Sequence, residues 1–502
     1  MFFEHPLIIP QTLEAREYQV SILETVKKKN TLVVLPTGMG KTPLAIMLAA
    51  ERLEDFSDSK VLIVAPTRPL CAQHEKSFRE MLDLPKKQIA LLTGQIPASN
   101  RYFYYKNCRV ISATPQTIQN DLKTGTLNLK DFSLLIVDEV HRAVHGYAYP
   151  FVAKKYMEQA RDPRVLGLTA SPGGTEERIN DIRRNLFSEA VEIRTETDRD
   201  VKKYVQETNV EIIKVDLSKE LIEIQTRLRK SLNNKLIKLR GQGLKVYTRI
   251  DLLKEQQKFS KILQSDKRPI YFHIVSWCAE AIKIWHAVQL AETQSVHALE
   301  QYFERLAKKQ DKSSQRIITN MKDLIAKIKD LDEEHPKIIM LRILIRDELK
   351  KNPDSKIIVF SHFRDNIDKI LEELGKLDGC KPIALIGQSG ERGLKQKEQI
   401  NAIKDFEFGM YNVLVGTSIS EEGLDIKSVN LAIFYDQTAS EIRQIQRRGR
   451  VGRTEVGKVI HLITRKTSDE SKHYASNRKE KKMKKILRGI QEGDKRGLKR
   501  FI

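Results

Sequence analysis

Short runs that are apolar throughout punctuate the first two hundred residues: Thr31 to Val34, Val61 to Ala65, Val110 to Ala113, Leu134 to Val137 and Val165 to Ala170. Runs of this length, separated by stretches of helical period, predict strands buried on both faces of a parallel sheet with crossover helices. From about residue 215 to 330 the pattern changes. Gly and Pro become sparse, strand signals vanish, and Lys, Leu, Ile, Gln and Glu dominate. That reads as consecutive helices, punctuated at their end by His335-Pro336. Apolar runs then return at Lys356 to Phe360, Pro382 to Ile386, Asn412 to Val415, Leu431 to Phe434 and Val459 to Ile463. The pattern predicts an α/β domain over 1–200, a helical insertion over 201–335, a second α/β domain over 336–470 and a basic tail over 471–502. The tail reads as helical at its start and loose at its end, where Gly489, Gly493 and Gly497 fall. No internal repeat is visible.

Composition sharpens this picture. The 502 residues suffice for about three domains. The net charge is +22 and the pI about 9.6, a surplus that calls for a polyanionic partner. The surplus is placed, not diffuse. Residues 227–268 hold 13 Lys/Arg against 3 Asp/Glu, and residues 472–502 hold 12 against 3. No apolar run approaches the length of a membrane span, and Met1 to Pro6 lacks the form of a secretion signal. No membrane-spanning segment is therefore expected, and the charge surplus alone fits nucleic acid or an anionic membrane surface. Cys71, Cys108, Cys278 and Cys380 are scattered and make no CxxC, as suits a reducing interior without structural zinc or disulfides.

Candidate chemistry begins at Leu35 to Thr42, LPTGMGKT, between an apolar run and an Ala/Leu/Ile/Met-rich helical segment. Gly38 and Gly40 let the loop turn its N–H groups onto one point. Lys41 adds a fixed charge there, Thr42 offers a hydroxyl to magnesium, and the positive end of the next helix favours the same anion. With Pro36, Thr37 and Met39 this is a nucleoside triphosphate cradle, although Leu35 stands where the strict pattern wants glycine. A second apolar run ends in Asp138-Glu139-Val140-His141. In a parallel sheet this places two carboxylates at the ligand-binding edge. Asp138 can hold the metal, and Glu139 can orient and deprotonate an attacking water.

The second α/β domain carries no such loop. It carries Gln446-Arg447-Arg448-Gly449-Arg450-Val451-Gly452-Arg453. Guanidinium groups match phosphate oxygens bidentately. An arginine that reaches a γ-phosphate only when two domains close would couple hydrolysis to motion.

These motifs, in this order, resemble those of a superfamily 2 helicase, and the likeness runs through both α/β domains. The resemblance implies an α/β fold of two RecA-like parallel-sheet motor domains with an all-helical domain inserted between them. It implies ATP and Mg2+, with Arg16 and Gln19 of Arg16-Glu17-Tyr18-Gln19 at the adenine. Pro66, Thr67, Arg68, Thr93, Gly94, Thr114, Ser361 and Thr417 fall in elements that contact nucleic acid in that family. Gly423 and Asp425 fall in one that closes on the nucleotide. Thr169 and Ser171 of Thr169-Ala170-Ser171 fall in a coupling element. His141 would link to Gln446 across the cleft, and Arg450 and Arg453 hold the arginine-finger positions. Val140 replaces the usual alanine of DEAH, adding bulk beside the site but leaving the polar roles intact.

Within that superfamily VDEVHRAVHGYAY, LGLTASPGG and the helical insertion are similar to the archaeal Hef and Fanconi anaemia group M branch. There the insertion acts as a thumb on forked DNA, which gives Lys235, Lys238, Arg240, Lys245 and Arg249 a phosphate-gripping role. The branch implies 3′→5′ movement and a prokaryotic cytoplasmic, nucleoid-associated setting. No nuclease pattern follows the motor. A double-stranded RNA substrate fits the same motor, because such motors grip backbone rather than bases. A nucleic-acid scaffold with a silent motor is disfavoured by the full set Lys41, Thr42, Asp138, Glu139, Arg450 and Arg453. Last, Leu498, Phe501 and Ile502 stand at the spacing of a sliding-clamp ligand. Lys495 replaces the glutamine of that pattern and Ile502 its second aromatic. One turn of 3₁₀ helix would align the three apolar residues.

Overall fold

In the computed structural model, residues 2–144, 146–204, 209–386, 394, 396–417, 429–437 and 457–498 are described. Among them the strands form two wholly parallel sheets. The first contains β1 (Thr31–Val34), β2 (Lys60–Val64), β3 (Ile89–Leu92), β4 (Val110–Ala113), β5 (Phe132–Val137), β6 (Val165–Thr169) and β7 (Ala190–Ile193), in the order β3-β4-β2-β5-β6-β1-β7. The second contains β8 (Asn209–Val215), β9 (Ile357–Phe360), β10 (Pro382–Leu385), β11 (Val413–Gly416), β12 (Leu431–Phe434) and β13 (Lys458–Thr464), in the order β10-β11-β9-β12-β13-β8.

The central strands are buried at every position, as in β1, β4, β5, β6, β9, β11 and β12. A strand covered on both faces by helices has no polar side to present, so its sequence reads as one apolar run. The strands that the apolar pattern misses are β3, β7 and β8, and each is a sheet edge. The clearest departure is β8. The helical insertion was expected from residue 201, yet Asn209–Val215 pairs along its whole length with β13 of the second sheet. It is exposed over its first four residues, so no burial pattern marks it.

Between β8 and β9 runs the helical bundle, from Lys219–Gly241 and Arg249–Ser265 through the long Pro269–Thr293 to Val296–Lys308, Lys312–Asn320 and Lys322–Lys329. Its core is continuous, with Leu228, Leu239, Cys278, Ile284, Leu299 and Phe303 among its members. The bundle is tied to the second sheet domain by polar contacts. The Gln294 amide donates to Asp436, the Ser295 amide to Asn366 at 3.0 Å and the Ser468 amide to the buried Glu292 at 3.0 Å. Where the bundle ends, Lys337 is fully buried and donates to Asp469 and to the Tyr435 carbonyl. The four cysteines are all buried and free.

The tail departs from its expected loose end. Ser468–Leu498 is one helix, Gly489 and Gly493 included. It leaves the second domain and lays Met483 and Leu487 into the core of the first, beside β7. Arg488 bonds Asp198 at 2.7 Å and Gln491 bonds Glu192 at 2.8 Å. The polar composition concealed a stripe that buries one face and leaves the lysines outward. No helix of the described residues is long and apolar enough to cross a membrane.

Candidate nucleotide and nucleic-acid site

The cradle joins β1 to helix α2 (Lys41–Asp55). Gly38 and Gly40 have φ of +84° and +69°, which favours glycine at both. A Cβ on Gly40 would also run into the Gln19 amide. Gln19, on α1 (Glu17–Lys28), is buried and grips the loop. Its Nε2 donates to the Gly40 carbonyl at 3.0 Å, and its Oε1 accepts from the Arg16 amide at 2.9 Å. The neighbouring Tyr18 hydroxyl donates to the Met39 carbonyl at 2.9 Å, and the Arg16 guanidinium donates to that hydroxyl. Leu35 explains its own departure from glycine: it is fully buried in the core, so its side chain points away from the phosphates. Its carbonyl accepts from Lys41 Nζ at 3.2 Å.

Strand β6 lies between β1 and β5. Its last residue, Thr169, therefore touches both halves of the site. Its carbonyl accepts from the Leu35 amide at 3.0 Å, and its hydroxyl lies 3.4 Å from His141 Nδ1 and accepts from the Ser171 amide at 3.1 Å. Ser171 turns its hydroxyl to Met483 of the C-terminal helix at 3.0 Å. Thr169 and Ser171 thus join the cradle, the acidic motif and the C-terminal helix by hydrogen bonds.

Asp138 follows β5 and is buried. Its Oδ2 meets His74 Nε2 at 2.8 Å, on helix α3 (Arg68–Met81), and its Oδ1 accepts from the Glu139 amide at 2.9 Å. Burial alone would raise this carboxyl. The His74 contact, the Lys41 charge and the Glu139 amide hold it below its ordinary value, so it is ionised and ready for a cation. Tyr149 donates to the Asp138 carbonyl at 2.7 Å and fixes the backbone there. Glu139 has φ +50°, a conformation costly for a residue with a side chain, and lies 3.2 Å from His141 Nδ1. The fit to magnesium is good. That ion takes one or two protein oxygens, completes its shell with water and phosphate, and Thr42 and Asp138 are such a sparse set. His74 and Tyr149 escaped sequence reasoning, since nothing in a helical His or Tyr announces its partner.

The residues expected at nucleic acid divide. Pro66 and Thr67 are half-buried at the start of α3, where the Thr67 hydroxyl caps Leu70, while Arg68 is exposed beside Gly94. Thr93 is buried, and Thr114 shares a hydrogen bond with Thr117 at 2.8 Å. Ser361 departs from expectation: it is fully buried and spends its hydroxyl on Asp436 at 3.1 Å. Thr417 is also buried. In the bundle, Lys235 pairs with the buried Glu280 and is only partly exposed. Lys238, Arg240, Lys245 and Arg249 are exposed. Gly423, Asp425, Gln446, Arg450 and Arg453 lie outside the described residues, as do Phe501, Ile502 and the side chain of Leu498.

Two parallel-sheet domains, a triphosphate cradle and an acidic motif on one of them, and a helical bundle between them define a helicase-type ATPase motor. Family models agree in order along the chain: DEAD/DEAH box helicase over residues 16–179, ATP-dependent RNA helicase helical bundle over 220–335, and helicase conserved C-terminal domain over 337–455. The crystal structure of the Pyrococcus furiosus Hef helicase domain is 38% identical with a TM-score of 0.74, covering 94% of this chain and 100% of that one. An ATP-dependent RNA helicase, as named, of Methanocaldococcus jannaschii is 40% identical over 98% of this chain, which spans 63% of it. The ATP-dependent DNA helicase fml1 of Schizosaccharomyces pombe is 32% identical over 91% of this chain, which spans 58% of it. The chain belongs to the superfamily 2 helicases, on the Hef and Fanconi anaemia group M branch.

Proposed function

We propose that this chain is an ATP-driven motor that moves 3′→5′ on branched DNA such as stalled replication forks, in a prokaryotic cytoplasm at the nucleoid. The observation that carries the reading is the anchorage of a basic bundle to the second motor domain. Asp436 accepts from Gln294 of the bundle and from Ser361 and His362 of the loop after β9. Motion of the second domain would therefore carry bundle and loop together. Names of relatives support DNA, as with fml1, while the RNA name of the Methanocaldococcus protein supports the second reading, a double-stranded RNA motor.

In the proposed cycle Lys41 and the loop amides bind phosphate, and Thr42 and Asp138 hold magnesium. The metal, when bound, neutralises phosphate charge. Glu139 accepts the proton of the attacking water. Arg450 and Arg453 reach the site when the domains close, with Gln446 meeting His141. A sliding clamp is proposed as partner for residues 495–502, where Leu498, Phe501 and Ile502 would dock, tethering the motor by effective concentration. Calorimetry of the tail peptide against a clamp, beside a Leu498/Phe501→Ala peptide, decides that point: equal binding by both, or by neither, ends it.

The main test compares ATP hydrolysis stimulated by forked DNA, plain duplex DNA and duplex RNA of equal phosphate number. Forked DNA is expected to stimulate most. Greater stimulation by RNA establishes the second reading, and no stimulation by any establishes a silent motor. Lys41→Ala should abolish turnover and leave DNA binding in place, because the phosphate partner is lost but the basic surfaces remain. Near-normal turnover would refute the cradle.

A further inference from the structure

The first bundle helix, Lys219–Gly241, starts directly after β8 and rises away from the second sheet for 23 residues. At about 1.5 Å per residue it carries its far end roughly 34 Å outward. The loop it feeds, residues 242–248, joins it to the next bundle helix, Arg249–Ser265.

That loop is held by specific contacts. Val246 is fully buried and pins the loop to the bundle core. Arg240 donates to the Val246 carbonyl at 3.2 and 3.1 Å, and its guanidinium then lies under the Tyr247 ring, 5.2 Å from the centroid. On the other side, the Tyr247 and Thr248 amides both donate to the Asp251 carboxylate, at 3.1 and 2.8 Å, while the Thr248 hydroxyl caps Asp251 in return. The backbone at Tyr247 is therefore held before and after the ring. One acid lies within residues 240–251, and its carboxylate is engaged by these amides, leaving Arg240, Lys245 and Arg249 to set the local field.

Cations also face rings elsewhere in the bundle, at Phe259, Tyr271 and Trp277, but Phe259 is buried and the other two are only partly exposed. Phe259 is buried and packs on Tyr271, and Trp277 lies between Lys238 and His273. Tyr247 instead keeps 67% of its surface exposed. A ring backed by a guanidinium on one face, fixed at both ends and open on the other, is a stacking platform, and a positive rim gives it a polyanionic ligand.

We propose that Tyr247 is a base-stacking site that takes an unpaired nucleobase, the kind exposed where a branch opens, while Arg240, Lys245 and Arg249 hold the adjoining phosphates. The proposal rests on the DNA reading above and adds how the bundle tells a branch from a plain duplex: duplex bases are already stacked and offer no free face to the ring.

The test uses the whole chain with a forked DNA bearing 2-aminopurine at the unpaired junction positions, beside a blunt duplex of equal phosphate number. Wild type should quench the fork fluorescence. Tyr247→Ala should lose the quench and bind the fork about 10-fold more weakly, with duplex affinity and the salt slope unchanged, since no phosphate contact is removed. Tyr247→Phe, which keeps the ring, should behave as wild type. Fork affinity unchanged in Tyr247→Ala, or fork and duplex weakened alike, would overturn the stacking site and leave the DNA motor standing. Failure of the wild type to bind either DNA would overturn both.

Discussion

Asp138 shows how much a single residue depends on neighbours from elsewhere in the chain. A buried carboxylate without partners would be driven neutral and would bind magnesium poorly. His74, 64 residues earlier, helps keep it ionised, and Tyr149 fixes the backbone there through the Asp138 carbonyl. Outer partners of metal-binding carboxylates typically account for about 10–100-fold in affinity or activity. His74→Ala is accordingly expected to raise the magnesium concentration needed for half-maximal ATP hydrolysis by about that factor. A magnesium titration at saturating ATP reads the effect, and an unchanged midpoint would show that His74 serves packing alone. Glu139→Gln should still bind ATP yet turn over very slowly, because an amide cannot take the proton of water.

Among elements, the C-terminal helix has the least obvious role. It begins in the second domain and ends on the first, with Leu487 fully buried and Met483 against Ser171. Truncating a buried leucine costs about 2–5 kcal/mol. That is enough to free a helix held on the first domain by one apolar stripe and a few polar contacts. Met483→Ala with Leu487→Ala should therefore expose its many lysines to trypsin in the folded protein. Digestion at low protease, followed by mass, would show early cuts between residues 479 and 488. Cutting at the wild-type rate would mean that the polar contacts to Asp198 and Glu192 suffice alone.

For the whole molecule, the junction of bundle and second domain makes stability depend on pH. His335 is completely buried, and burial first, then the nearby Lys337 ammonium, pushes its imidazole from 6.5 down to about 3. The folded state thus holds His335 neutral where the unfolded chain would protonate it. Its contribution to stability is full above pH 6.5 and is lost as pH falls towards 3. Urea midpoints at pH 7 and pH 5 should differ more for wild type than for His335→Asn, which keeps a cap acceptor for the Lys337 amide but does not titrate. Equal differences would place the acid sensitivity elsewhere.

The sequence by itself determined the central strands, the triphosphate loop, the acidic motif and the arginine string. Each is local: doubly buried strands must be apolar throughout, and phosphate chemistry needs glycines, a lysine and carboxylates at fixed spacing. Tertiary structure alone decided what depends on distant partners. The edge strand β8 carries no full burial signature, because that sheet edge is covered on fewer sides, and its pairing with β13 is set only by the fold. Lys235 and Ser361 read like surface contacts until Glu280 and Asp436 are brought against them. The tail read as basic and loose at its end because 12 basic residues and three glycines conceal one apolar stripe, and the edge of the first sheet gives that stripe a place to be buried. Charge and glycine are visible along the chain, but the partner that buries or frees a side chain is set by the fold.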